Sequence, residues 1–285
     1  MPPVNLDPPR VMVKLARDAR VMFYMVTAFT VLGTIAFYLA TEQAIATAGF
    51  FAIFGTVALN AGFNRHLFAN DESFNQERWQ FHGWCFASQP LYGWVFLIFM
   101  ILLGGAQVWR AEALDSHEAV KLAFGLVFAT QAESGEWWRF LTAPLLHNSL
   151  DHWMINTFIG AALLLIYGPV QRWRVIVAMV ITAPASFLAV YGFYLYFPID
   201  GEGIIGLSGG ISGAIGFFLA ANLRYRELFP RYYYVTTIFV ALIASLLVSM
   251  MVSTASFIAH LGGFVTGLAL GWVMRPVAPG FLTEA

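Results

Sequence analysis

The chain has 285 residues, of which 59% are hydrophobic and only 11% are charged. Soluble domains carry about 25% charged residues, so this composition excludes an ordinary water-soluble protein. The net charge of −1 excludes the basic surface that nucleic-acid binding requires. The single cysteine, Cys85, excludes an internal disulfide and any cysteine pair for metal or redox chemistry.

Long uncharged segments predict eight membrane-spanning helices. The only charged residue between Arg20 and Arg65 is Glu42, and none occurs from Trp79 to Trp109. A helix needs about 20 apolar residues to cross the hydrocarbon core. The predicted spans are 21–40, 43–63, 90–108, 148–169, 175–197, 205–222, 232–252 and 257–274. The first span has no small-residue cleavage site, which indicates an anchor and not a signal peptide.

The spans predict an all-α polytopic membrane protein with three parts. A six-helix core occupies residues 90–275, a two-helix hairpin lies in an N-terminal extension over 1–89, and 276–285 form a tail. The connector 109–146 contains a stretch of helical period, Ser116–Gln131, followed by tryptophans and an arginine. Such residues suit headgroup depth, so we expect this connector to lie partly in the outer leaflet. A soluble outer loop is the alternative.

The distribution of basic residues predicts that both termini are cytoplasmic. With this orientation, twelve basic residues lie in cytoplasmic segments and three, Arg110, Lys121 and Arg139, lie outside. The positive-inside rule favours that arrangement strongly. The twelve are Arg10, Lys14, Arg17, Arg20, Arg65, Arg78, Arg172, Arg174, Arg224, Arg226, Arg231 and Arg275.

Three spans begin with polar residues that are costly inside a membrane. His152 and Asn156 lie at the start of the fourth span, Ser208 at the start of the sixth, and His260 at the start of the eighth. All three spans run inward in the predicted topology, so their first turns share one depth near the outer face. The sequence therefore predicts that these four side chains meet.

Glycines in the sixth and eighth spans predict close helix packing. The eighth carries Gly263, Gly267 and Gly271 at a spacing of four. Small residues let two helix backbones approach closely in a bilayer, which would bring the Ser208 hydroxyl within reach of a His260 nitrogen. Packing alone, with an incidental serine and histidine, is the other interpretation.

These residue types predict serine-protease chemistry. A histidine can remove the proton of Ser208 and later protonate the leaving amine. The only acidic residue from Gly203 to Met274 is Glu227, in a predicted cytoplasmic connector, so we expect a Ser208–His260 dyad without an orienting carboxylate. His152, Asn156 and the Ser208 backbone N–H are the expected oxyanion donors.

The sequence lacks the residues that other functions would require. His147 and His152 have no third ligand and no HExxH motif for zinc, so no metal or other cofactor is predicted. No span holds the carboxylate pair of an aspartyl protease. A transporter or channel needs a polar path across the membrane, whereas these polar residues cluster in the outer half.

Four motifs, in order, resemble the rhomboid family of intramembrane proteases over about residues 90–275. They are Trp138-Arg139, His147-x4-His152-x3-Asn156, Gly206-x-Ser208-Gly209 with Gly216, and Ala259-His260-x2-Gly263-x3-Gly267. The resemblance implies a six-helix core, a Ser–His dyad in a water-filled cavity open to the outside, and an oxyanion site of His152 and Asn156. It also implies that Trp138 and Arg139 anchor the outer loop and that His147 is structural.

Three features depart from the family pattern. Gly210-Ile211-Ser212-Gly213 repeats the serine motif one turn deeper, and Ser208 is preferred because Gly216 lies at the expected spacing from it. Some members have an aromatic ring, packed on the catalytic histidine, where Ser212 stands. Gln171 stands where many members carry glutamate.

The resulting hypothesis is an intramembrane serine endopeptidase that cleaves transmembrane-segment proteins near the outer leaflet. The alternative is a rhomboid-like pseudoprotease that binds transmembrane clients without cleaving them. The expected location is a bacterial plasma membrane. The sequence predicts neither the natural substrate nor the oligomeric state.

Overall fold

The computed structural model is mostly helical, as the sequence predicts. It describes residues 8–41, 51, 55–66, 72–88, 91–113, 116–127, 134–197, 203–241 and 254–277. The helices are α1 (Pro8–Thr41), α2 (55–66), α3 (Glu72–Ala87), α4 (Leu91–Ala113), α5 (His117–Phe124), α6 (Arg139–Thr142), α7 (Leu150–Gln171), α8 (Trp173–Tyr194), α9 (Ser208–Arg224), α10 (233–241) and α11 (Thr254–Val273). Strands β1 (Leu126–Val127) and β2 (Gly203–Ile204) pair antiparallel.

Three helical segments are long and apolar enough to cross a bilayer, namely Gly93–Ala111, Trp173–Tyr194 and Ala255–Val273. Two shorter apolar segments are Phe23–Ala36 and His152–Leu165. Many large apolar side chains on these helices are exposed, as contact with lipid tails requires. The chain is thus an integral membrane protein. The predicted total of eight spans stays a prediction, because parts of the second and seventh lie outside the described residues.

Contacts divide the chain into two compact units. The first combines Met1–Gly83 with Phe229–Met250 and therefore joins α10, from the seventh predicted span, to the N-terminal helices. Within this unit, the buried Arg78 of α3 donates to Asn64 Oδ1 at 3.1 Å and to Thr236 Oγ1 at 3.3 Å. Hydrogen bonds of a charged donor are about twice as strong as neutral ones, so Arg78 links α2, α3 and α10 firmly.

The second unit, Trp84–Leu228 with Met251–Ala285, is built on the contact between α9 and α11. A methyl group added to Gly263, Gly267 or Gly271 would overlap a backbone carbonyl oxygen of α9. Gly263 faces the carbonyl oxygen of residue 209, Gly267 faces that of residue 213, and Gly271 faces that of residue 217. The two helices are therefore parallel, and they touch backbone to backbone over three successive turns.

The remaining long helices of this unit pack antiparallel to their partners. Thr182 of α8 lies against Gly213 and Ser186 against Gly209, so α8 runs opposite to α9. Likewise, Gly104 of α4 lies against Trp153 of α7, while residues earlier in α4 meet residues later in α7. These directions are the ones that alternating membrane spans require.

The glycine contact gives a test of the fold. Gly267→Ala would place a methyl group on the carbonyl oxygen of Gly213, and neither backbone can move without repacking the helices. We expect a loss of about 1–3 kcal/mol in the free energy of unfolding, measured in detergent micelles. Gly105→Ala is the control, because its methyl group would meet no protein atom within 4 Å. Equal stability of the two variants would contradict the packing described here.

Candidate active site

Ser208 is the first residue of α9 and follows a sharp turn. Gly206 has a φ of 125°, a conformation that residues with a side chain rarely adopt, and its N–H donates to Ala143 O at 3.0 Å. The Ser208 side chain is partly exposed. Because the first N–H groups of an α-helix have no intrahelical acceptor, the Ser208 N–H is one that a bound oxyanion could use.

His260 lies in the second turn of α11, three residues before Gly263. Gly209 approaches the Ala259 carbonyl of the same turn, so the turns that carry Ser208 and His260 lie side by side. The His260 ring is 8% exposed, and within the described ranges neither ring nitrogen has a hydrogen-bond partner. The Ser208–His260 hydrogen bond is thus not formed here. Such bonds are often loose in enzymes without substrate.

The start of α7 brings His152 to this place. A methyl group built on Gly206 would lie 3.1 Å from His152 Nε2 and 3.8 Å from Ser208 Oγ, so both atoms face one small volume. His152 also lies within electrostatic range of the His260 ring. One turn further, Asn156 is 3% exposed, and its Nδ2 has no acceptor among the residues described.

The connector between α4 and α7 is tied to itself by Arg139. The guanidinium, which is 5% exposed, donates to Leu122 O at 3.0 Å, to Gly125 O at 2.6 Å and to Glu136 Oε2 at 2.7 Å. It also lies 4.7 Å from the Trp138 ring. These bonds hold the end of α5 and the residue before β1. Because β1 pairs with β2, the connector is attached to the segment that leads into Ser208.

Two residues singled out in the sequence stand apart from this cluster. Ser212 is one turn further along α9 than Ser208. Gln171, at the opposite end of α7 from His152, is fully buried, and neither polar atom of its side chain has a hydrogen-bond partner in the described part of the chain.

Two neighbours of the cluster were missed in the sequence. Ser186 of α8 is fully buried against Gly209 and Gly262, between the turns of Ser208 and His260. Gln107 of α4 hydrogen-bonds the backbone of His147. The sequence did contain a signal for Gln107, since its side-chain amide lies near the end of an apolar span and such a group needs a polar partner. Nothing in the sequence distinguishes Ser186 from a packing residue.

Comparison with known proteins agrees with the motifs. The Rhomboid domain model matches residues 134–277. Rhomboid protease GluP of Bacillus subtilis is 29% identical over 183 residues, which cover 63% of this chain but only 34% of GluP. Putative rhomboid protease YdcA of the same organism is 27% identical over 188 residues, 62% of this chain and 87% of YdcA. The matched domain takes in half of the chain, which therefore belongs to the rhomboid family.

Proposed function

We propose that this chain is an intramembrane serine endopeptidase, with Ser208 as nucleophile and His260 as general base. The observation that carries the proposal is the parallel, backbone-to-backbone contact of α9 and α11, which sets the turns of Ser208 and His260 side by side. The similarity to Rhomboid protease GluP adds support.

The proposed reaction uses four groups of the cluster. His260 takes the proton of Ser208 while Oγ attacks the scissile carbonyl carbon. The negative oxygen of the tetrahedral intermediate accepts hydrogen bonds from His152, Asn156 Nδ2 and the Ser208 N–H. The His260 imidazolium then protonates the leaving amine. Water, activated by neutral His260, releases the acyl group from Ser208.

The proposed architecture is a six-helix core preceded by a two-helix transmembrane hairpin, with both termini in the cytoplasm of a bacterium. The substrates are proteins with a transmembrane segment that can unwind near the outer leaflet, because a scissile bond inside a regular helix is inaccessible. No metal or organic cofactor takes part in this reaction.

The nucleophile is tested by two serine variants. Ser208→Ala should lower kcat/KM for a transmembrane reporter by about 10³-fold or more, because it removes the attacking atom. Ser212→Ala, one turn along the same helix, should retain most of the activity. The opposite pattern would assign the nucleophile to Ser212.

A fluorophosphonate probe separates catalysis from client binding. Purified wild-type protein should be labelled, whereas Ser208→Ala and His260→Ala should not, because covalent capture requires an activated serine hydroxyl. In-gel fluorescence measures the outcome. Unlabelled but folded wild-type protein would refute the protease and favour a pseudoprotease that only binds transmembrane clients.

The oxyanion site is tested at Asn156, whose buried Nδ2 has no acceptor among the described residues. Asn156→Ala should lower kcat by about 10²–10³-fold, with a smaller change in KM, because this donor acts on charge that develops only in the transition state. Ile155→Ala, an exposed position on the same helix, is the control and should leave kcat nearly unchanged. An unchanged kcat for Asn156→Ala would remove it from the site.

A further inference from the structure

Gln107 of α4 makes a paired contact with the backbone of one residue. Its Oε1 accepts from the His147 N–H at 3.0 Å, and its Nε2 donates to the His147 carbonyl oxygen. One side-chain amide thus satisfies both backbone groups of His147, as a neighbouring strand does in an antiparallel sheet. An amide in an apolar helix end is costly without partners, so this contact holds two elements together strongly.

His147 lies where the chain turns into α7. It stands between the 3₁₀ turn Ala143–Leu145 and Ser149, whose hydroxyl accepts from the His152 N–H at 3.4 Å. The His147 ring is 2% exposed and packs edge-on against the His152 ring, with centroids 5.2 Å apart and an interplanar angle of 72°. The position of the His147 backbone therefore sets the surface against which His152 rests.

We propose that Gln107 is a positioning residue for catalysis, which acts through His147 on the orientation of His152. This inference rests on the proposed function, in which His152 stabilises the oxyanion. The hydrogen bonds of Gln107 to described residues go to His147, and the atoms nearest to a methyl group built on Gly206 belong to His152 and Ser208. The effect of Gln107 arises because the ring of His147 packs against the ring of His152, whose Nε2 faces the volume beside Gly206. A displacement of about 1 Å in a catalytic group can cost about 10²-fold in rate.

A second contact, between α4 and α7, provides a matched control. Trp153 Nε1 donates to Met100 O at 2.9 Å, and the indole packs against Gly104. Trp153→Phe removes this hydrogen bond and some of the packing between α4 and α7 without altering the contact of Gln107 with His147. A loss of activity that came only from weaker packing of α4 on α7 would therefore appear in Trp153→Phe as well.

The test is a double-mutant cycle with the full-length protein in detergent or liposomes, with cleavage of a transmembrane peptide as the readout. Gln107→Leu should lower kcat by about tenfold to a hundredfold and leave KM within about twofold. In a His152→Ala background the same change should cause little further loss of kcat, because the imidazole on which Gln107 is proposed to act is no longer present. Gln107→Glu, which keeps the acceptor and loses the donor, should fall between. Trp153→Phe should lower thermal stability but leave kcat within about twofold.

Equal losses from Gln107→Leu in both backgrounds would overturn the proposal and give Gln107 a purely structural role, as would an unchanged kcat in the wild-type background. A second readout does not depend on activity. The ¹⁵N NMR signals of the histidine rings should shift for His147 and His152 in Gln107→Leu and stay in place in Trp153→Phe. Unshifted histidine signals in Gln107→Leu would refute the proposal even if the wild-type protein is an active enzyme. If the signals shift in Gln107→Leu but wild-type protein neither cleaves the peptide nor reacts with the probe, only the proposed protease function would be refuted.

Discussion

Two helix backbones, those of α9 and α11, meet with no side chain between them, and the cluster of polar groups depends on that contact. In a bilayer, lipid tails are as apolar as leucine, so helix association needs close packing of backbones. Glycines at a spacing of four on α11 meet successive turns of α9 and keep the helices parallel and in register. The register extends to the first turn of α9, which carries Ser208, and to the second turn of α11, which carries His260.

Helix α8 packs against this pair with small polar residues, whose hydroxyl groups donate hydrogen bonds to carbonyl oxygens of α8 itself. Ser186 Oγ donates to Ala183 O at 2.6 Å and Thr182 Oγ1 to Ala178 O at 2.7 Å, so both hydroxyls fill narrow space against glycines without an unmet hydrogen bond. At the cluster the pattern reverses. The ring nitrogens of His260 and Nδ2 of Asn156 are buried without partners among the described residues. Groups of that kind mark places where a ligand or water completes the bonding.

The part of the cluster that contains His152 has a different origin, since it is supported by α4, α7 and the connector between these two helices. Arg139 ties the connector to itself, and the pairing of β1 with β2 attaches it to the segment before Ser208. Buried arginines thus organise both units, because Arg78 has the corresponding place among the N-terminal helices. The Arg139 guanidinium bonds carbonyl oxygens at the end of α5, whereas the Arg78 guanidinium bonds polar side chains of α2 and α10.

The amino-acid sequence by itself determined the membrane class and the rhomboid family, because apolar length, glycine spacing and costly polar residues are local properties of the chain. It also predicted the parallel contact of α9 and α11. That Ser208, His260, His152 and Asn156 form one site stays a prediction. Only the tertiary structure decided that Gln107 pairs with the His147 backbone, that Ser186 lies between Gly209 and Gly262, and that α10 joins the N-terminal helices. Those contacts join residues far apart in the chain, and the pattern around each one does not specify its partner.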